Sequence, residues 1–583
     1  MNLRWILHLW MILDFKEMEV QKMDRIIQSY MDSFIKSQEI LEKDESKQFE
    51  MFSAYSVVEQ WYTETYNLSD IIIGEGGDCG IDSIAIIVNG NMVTSREEID
   101  DIIEVNKSLS DIKFIFLQAK TSAAFDYGEM GTFGTGVKDF FSEDPQMVRN
   151  ESIIEKSEII EYIFSKATMI KKKPSCYLYY VTTGKWVDDQ NCIGRINIAT
   201  SDLNALNIFS EIKYIPIDGN QLQKLYRKTI DVVETEISFD NHIFLPDIPK
   251  VRQSFLGYLD FSEFLKLIVD ENGEIRRSVF YDNVRDFQGD NAVNHEMSDT
   301  IATSSDRFIL YNNGVTIICK KLSNIRNKYT LTDYQIVNGC QTSHVLFNNK
   351  KVINGNLQIP IKLIETEDDE TVNKIIKATN RQTEVTDAQL IALNEFHRKL
   401  EAFYNTFSGG QRLFYERRSK QYSYGNDIEK TRIVSISMQI KAMASMFFDK
   451  PHLASRFFGK LMSSVEGIFN DQHKLLPYYT SAYTLYKIDY LFRNKLIDIR
   501  YRKFKYFILM LIKYDLVEEK MPELNANKMD KLCERILKVV NDNDKLITEV
   551  CKLLPLFDKY VEDITSTEST KSATLVEKLR NEF

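Results

Sequence analysis

A chain of 583 residues exceeds what one hydrophobic core can fill, since single cores stop growing at about 250 to 300 residues, so two or three domains are expected. Hydrophobic residues at 44%, aromatic residues at 12% and only 10 prolines exclude an extended disordered chain. A formal charge of -12 excludes a protein that grips phosphate backbones through overall basicity, so any such contact must be local.

In chain order, the first fifteen residues hold a short apolar run that includes Trp5, Ile6 and Leu7. It is far shorter than the roughly 20 residues of a spanning helix and has no small-residue cleavage site before Asp14, so neither export nor a membrane partner is expected. A start at Met11, Met18 or Met23 is an alternative reading of this end. From 18 to 66 the pattern is helical, with Ile26, Ile27, Tyr30, Met31, Phe34 and Ile35 spaced for one buried face. Short strands rich in Ile and Phe are predicted at 70–73, 81–88, 113–118, 176–182 and 212–217, punctuated by Gly74, Gly76, Gly77, Gly80, Gly90 and Gly184. A helix over 221–230 precedes a second region whose strands are predicted at 308–310, 316–319 and 359–364. Beyond 371 helical spacing takes over, as in Leu390, Leu393, Phe396 and Leu400, and it recurs from 438 to 554; residues 565–583 read as a loose polar tail. Seven scattered cysteines with neither a CxxC pair nor histidines at ligand spacing suit a reducing cytoplasm and show no zinc site.

The residues best placed for chemistry lie in Gly76-Gly77-Asp78-Cys79-Gly80-Ile81-Asp82 and in the strand that ends Leu117-Gln118-Ala119-Lys120. Side chains alternate along a strand, so Gln118 and Lys120 share a face and Ala119 takes the other. If the Asp82 strand is its neighbour, a carboxylate, an amide and an ammonium meet. Hydrolysis of a phosphodiester needs a hard cation held by carboxylate oxygen, a role open to Asp82, and a group that steers water and offsets charge on phosphorus, a role open to Lys120. Read as structure only, Asp82 is a turn cap and Lys120 a surface lysine at a strand end. The segment 128–136, with four glycines and no Gly-Lys-Ser/Thr, reads as a flexible loop opening a helix and not as an ATP cradle.

These motifs resemble the PD-(D/E)XK nuclease superfamily, and Mrr-like restriction enzymes in particular, which carry a Gly-Ile-Asp strand and often Gln-x-Lys. The resemblance implies a restriction-endonuclease-like mixed sheet flanked by helices, with Asp82, Gln118 and Lys120 as catalytic positions. Phe49-Glu50 resembles the Phe-Glu pair on the helix before these strands, which implies Glu50 as a further ligand. Mg²⁺ or Mn²⁺ held by Asp82, Glu50 and Gln118 is the implied cofactor. Gln118 departs from the acidic pattern and leaves the site one negative charge short. Asp78 matches an acidic residue common in the turn, which turn geometry explains equally well.

The second region holds Asp282-Asn283-Val284-Arg285, Tyr311-Asn312-Asn313-Gly314, Val337-Asn338-Gly339-Cys340-Gln341-Thr342, Ala378-Thr379-Asn380-Arg381-Gln382 and Phe414-Tyr415-Glu416-Arg417-Arg418. Amides, glycines and arginines predominate, without a nucleophile and base. They suit either a recognition pocket for a nucleotide, a phosphate backbone or a phage product, lined by Arg285, Asn313, Asn338, Gln341, Asn380 and Arg418, or an amide network that holds turns. His344 and His397 stand alone and read as structural. Local positive charge is available at Lys171 to Lys173 and between Arg398 and Arg432, where Arg412, Arg417, Arg418 and Lys420 fall, although solvated helix faces account for either run. The ordered motifs resemble the AIPR family, named for abortive phage infection and resistance, over about 240–450.

The expected organisation is a helical segment at 1–40, an α/β nuclease domain at 41–240, an α+β AIPR core at 241–370, an AIPR helical region at 371–560 and a polar tail at 561–583. Together the resemblances imply a cytoplasmic metal-dependent nuclease acting on nucleic acid, DNA being favoured, in anti-phage defence, with the AIPR part sensing a phage-derived trigger or regulating. Whether it is a monomer or a homo-oligomer stays open. The alternatives are an inactive nucleic-acid-binding protein, or a nucleotide-binding or nucleotide-hydrolysing AIPR module targeted by the front domain.

Overall fold

The structure is a computed structural model that describes residues 23–583 except 63, 75, 271–272, 274, 277–278, 281–291, 354–356, 380–394, 418–420, 423–427, 455–460, 462–464, 466, 518–520 and 565–567. The amino-terminal apolar run lies outside the described residues.

The front domain is a three-layer α/β/α sandwich. Its helices are α1 (Arg25–Ser37), α2 (Glu45–Val58), α3 (Arg96–Asn106), α4 (Tyr127–Phe140), α5 (Glu151–Ser165), α6 (Gln190–Ala205) and α7 (Gly219–Ile230). Between the helical layers runs a sheet of β1 (Ser83–Val88), β2 (Asn91–Met92), β3 (Ile112–Lys120), β4 (Ser175–Thr182) and β5 (Glu211–Ile217), in the order β2-β1-β3-β4-β5. β1 is antiparallel to both its neighbours, whereas β3, β4 and β5 are mutually parallel. The near-continuous apolar strands follow from burial on both faces. Phe114 and Phe116 pack with Met130 and Phe133 of α4 and Ile160 of α5, while Ile115, Leu117 and Ala119 pack with Phe49 and Phe52 of α2 and Leu222 of α7. The segment expected as a strand at 70–73 instead holds a 3₁₀ turn, Leu68–Asp70, and a single bridge from Ile72 to Ser83.

The middle domain is a six-stranded sheet, β6 (Glu234–Ser238), β7 (Asn241–Phe244), β8 (Gln253–Asp260), β9 (Val315–Ile325), β10 (Lys328–Asn338) and β11 (Gln358–Glu365), in the order β6-β10-β9-β11-β8-β7. One face carries α8 (Phe261–Ile268), α9 (Ala292–Thr303) and α11 (Cys340–Asn348), and the other carries α12 (Asp369–Thr379). The expected strand at 308–310 is the short helix α10 (Phe308–Tyr311): of its apolar residues only Phe308 is buried, and Leu310 and Tyr311 face water.

The remainder is helical: α13 (Glu395–Tyr404), α14 (Ile436–Phe447), α15 (Leu476–Arg493), α16 (Lys505–Leu516), α17 (Asn527–Val540), α18 (Asn543–Leu553), α19 (Pro555–Tyr560) and α20 (Ala573–Arg580), joined by the parallel pair β12 (Phe414–Glu416) and β13 (Ile433–Ser435). From 568 onward the tail is not loose. Ser572 caps α20, and Leu575, Val576 and Leu579 are buried in the helical core, because three apolar residues at helical spacing outweigh the polar composition around them.

Charged contacts join the front domain to this helical region. Arg502 donates to Asp70 and to the Ser69 carbonyl, Lys441 stands 3.6 Å from Glu98, Lys571 pairs with Glu97 at 2.6 Å, and Thr65 donates to Glu416 at 3.1 Å. Glu39, between α1 and α2, reaches Arg432, Thr431 and Tyr486. Among the described residues no helix is long and apolar enough to cross a membrane.

Candidate functional site

The site is built by the turn that feeds β1. Asp78 Oδ1 accepts from the Gly80 amide at 2.8 Å, and Ile81 N donates to the Asp78 carbonyl, so the tight turn is closed by Asp78. Gly80 has φ +73° and faces Phe133 and the Gln118 side chain, a backbone conformation in which any other residue is strained. Asp82 therefore is not needed as the cap. Its amide donates to the Leu117 carbonyl, and its Oδ2 accepts from the Ala119 amide at 2.6 Å, which ties the carboxylate across to β3.

Gln118 and Lys120 lie on the Phe114 and Phe116 face of β3, as the alternation requires. Gln118 is 4% exposed, and its Oε1 has no hydrogen-bond partner. A buried amide oxygen left unpaired costs on the order of 1 to 3 kcal/mol, which a bound ligand would offset. Lys120, at the strand end, is half-buried.

Glu50 comes to the same place from α2. Burial, then the Asp82 carboxylate, push its carboxyl up to about 7, opposed by the Lys120 ammonium. Burial likewise pushes Asp82 up to about 6, against the Ala119 N–H bond and Lys120, with Asp78 and Glu129 adding to the rise. The structure thus brings Glu50, Asp82, Gln118 and Lys120 together. Their two carboxylates repel each other in a poorly hydrated site, the condition a bound cation relieves. Among the described residues no group of three or more His, Cys, Asp or Glu is arranged to hold a metal. The oxygen set is instead two carboxylates and an unpaired amide oxygen, which fits a hard, partly hydrated cation such as Mg²⁺.

Glu129 and Tyr180 were not singled out from the sequence. The Tyr180 hydroxyl, on the strand beside Gln118, donates to Glu129 Oε2 at 3.0 Å. Glu129 sits in the first turn of α4, where Asp126 caps its amide, so the expected loop at 128–136 is helix. The glycines serve packing. A Cβ on Gly136 would stand 1.9 Å from the Cys79 carbonyl oxygen, and one on Gly134 2.6 Å from Ala199 of α6. The Asp126-x-x-Glu129 spacing is the sequence signal of a helix start that the glycine count obscures.

In the middle domain, Asn313, Asn338 and Gln341 gather at one end of the sheet, at the start of β9, the end of β10 and the first turn of α11. Asn338 Nδ2 donates to the Thr379 carbonyl at 3.0 Å, Asn294 donates to Gln341 Oε1 at 3.2 Å, and Asn312 joins Thr342 at 3.1 Å and the Gly314 amide at 2.9 Å. Gly339, with φ +100°, lies where a Cβ would meet Val315 at 2.7 Å. Asn312 thus holds the turn into β9, while Asn338 and Gln341 bond neighbouring helices. Asn313 is exposed, and Arg285, Asn380 and Arg418 lie outside the described residues. His397 is buried with its Nδ1 2.6 Å from the Tyr415 hydroxyl, in keeping with a structural role. Of the basic runs, Lys171 to Lys173 are exposed, whereas Arg417 turns inward to Glu401 at 2.5 Å. All seven cysteines are free thiols.

The chain is thus a mixed α/β protein with three sheets flanked by helices and a helical carboxy-terminal part. The AIPR protein family model matches residues 280–574, just over half of the chain, and the chain belongs to that family. No curated protein and no solved structure gives a significant match.

Proposed function

We propose that the protein is a metal-dependent nuclease that acts on DNA in anti-phage defence, with the AIPR part holding the front domain in check. The observation that carries this reading is the charge interaction of Glu50, Asp82 and Lys120 at the end of the strand that also carries a buried Gln118 with an unpaired oxygen. Glu50, Asp82 and Gln118 supply oxygen ligands for Mg²⁺, which when bound polarises the phosphoryl oxygen and lowers the pKa of water. The Ala119 N–H fixes the orientation of Asp82. Lys120 offsets the charge that builds on the phosphate oxygens and orients the attacking water. The defence role rests on membership of a family named for abortive infection, and the preference for DNA on the likeness of the Gly-Ile-Asp and Gln-x-Lys strands to Mrr-like enzymes.

An unrestrained nuclease harms its host, and the ion pairs between the front domain and the helical region supply a restraint that can be opened. Plasmid and RNA are incubated with Mg²⁺ or Mn²⁺ and the intact protein, or the Arg502→Ala variant, in which the Asp70 contact is broken. Nicking of plasmid that rises in Arg502→Ala and vanishes when Asp82→Ala or Lys120→Ala is added supports the reading. Retardation of DNA that is equal with chelator and never accompanied by nicking favours a protein that only binds nucleic acid.

A further inference from the structure

Glu39 lines a cleft of about 270 Å³ between the front domain and the helical region, together with Arg432, Tyr486, Lys487, Tyr490, Asn541 and Asn543. Its carboxylate is held as a bound anion is held. Arg432 donates from Nε at 3.0 Å and Nη2 at 2.8 Å, Thr431 Oγ1 donates at 2.6 Å, the Tyr486 hydroxyl lies at 2.8 Å, and Arg493 stands 3.8 Å away. Glu39 reaches this position through a left-handed backbone, φ 50°, a conformation that costs a non-glycine residue on the order of 1 kcal/mol. The backbone on either side is fixed by one residue of the helical region: Asn494 Nδ2 donates to the Glu39 carbonyl, and its Oδ1 accepts from the Leu41 amide.

The rest of the cleft is not filled by Glu39. The Lys487 ammonium stands 5.6 Å over the Tyr490 ring and bonds Asn543, and Tyr490 is half-exposed while Tyr483 and Tyr486 are buried. Asn541 adds an exposed amide at the rim. A fork of guanidinium, an ammonium, a half-exposed aromatic ring that Arg493 also approaches at 5.9 Å, and two amides beside it match phosphate, base face and base edge. The volume is comparable to that of one nucleotide.

We propose that this cleft binds a nucleoside monophosphate, its phosphate replacing the Glu39 carboxylate on Arg432 and Tyr486 and its base lying on Tyr490. Glu39 is then a built-in competitor, and ligand binding removes one of the contacts that hold the front domain. This inference does not depend on nuclease chemistry, because it is read by binding alone.

Isothermal titration calorimetry of the full chain with the four ribonucleoside monophosphates, the matching nucleosides and inorganic phosphate tests it. At least one monophosphate binds, with its nucleoside and phosphate each about tenfold weaker or worse. Glu39→Gln tightens binding about tenfold by removing the competing charge, and Lys487→Met and Tyr490→Ala, at half-exposed positions, each weaken it about tenfold. Absence of monophosphate binding to both the wild type and Glu39→Gln at millimolar ligand overturns the proposal. So does binding that is indifferent to Lys487→Met and Tyr490→Ala, or phosphate alone binding as tightly as the nucleotide. None of these results bears on plasmid cleavage, so failure here leaves the nuclease reading standing.

Discussion

If Glu50 and Asp82 hold the metal as proposed, proton competition at the pair makes its binding steeply pH-dependent. With the carboxyls pushed up to about 7 and about 6, both must lose a proton before both can ligate a cation. At pH 8 the doubly ionised form predominates, and the correction to affinity is about 1.1-fold; at pH 6 the two factors are about 11 and about 2, so apparent affinity falls about 20-fold between those values. An ordinary solvent-exposed carboxylate pair, with both groups near the usual acid range, gives almost no change over the same interval. Titration of the full chain with Mn²⁺, followed by calorimetry or by the electron paramagnetic resonance of free Mn²⁺, reads this directly without any nucleic acid. Glu50→Gln should flatten the profile because the group with the higher pKa is gone. An affinity that is flat from pH 6 to 8 in the wild type refutes the claim that these two carboxylates form the site.

The same burial and repulsion predict a stability effect of opposite sense. Glu50 binds its proton more tightly folded than unfolded, so between about pH 4.5 and 7 the folded state carries more protons and stability falls as pH rises. Glu50→Gln should therefore raise the thermal midpoint of the metal-free protein at pH 8 while weakening Mn²⁺ binding, and a lowered midpoint would contradict the assigned strain. Gly136→Ala, which drives a methyl into the Cys79 carbonyl, should cost about 3 kcal/mol or more in chemical denaturation as the turn before Asp82 gives way; a change within a few tenths would show that α4 does not press on that turn. Leu579→Ala in α20 should destabilise the helical region by about 2 to 5 kcal/mol, where an exposed tail would give no change.

The front sheet was legible because its strands are apolar runs broken by glycine, and the pairing of Gln118 with Lys120 follows from alternation alone. That Glu50 joins them was implied only by a family likeness, since nothing in the spacing of residues 50 and 82 places a helix against a strand end. The glycines of α4 misled for a physical reason. They permit helix-to-turn and helix-to-helix contact at distances a Cβ forbids, a tertiary demand invisible to local propensity. The polar run that ends the chain hid Leu575, Val576 and Leu579 in the same way, by composition. Most opaque were the contacts of Glu39 with Thr431, Arg432 and Tyr486, which join residues nearly 400 or more positions apart, and the bonds of Asn338 and Gln341 to neighbouring helices, which no local pattern announces.

In the proposed reaction the Asp82 and Lys120 side chains serve the cleavage of nucleic acid. Supercoiled plasmid incubated at pH 8 with Mg²⁺ and the Arg502→Ala protein should be nicked, and addition of Asp82→Ala or Lys120→Ala to that background should abolish nicking while leaving the fold intact by circular dichroism. Nicking that persists at the same rate in both double variants would contradict the account and place the chemistry elsewhere in the chain.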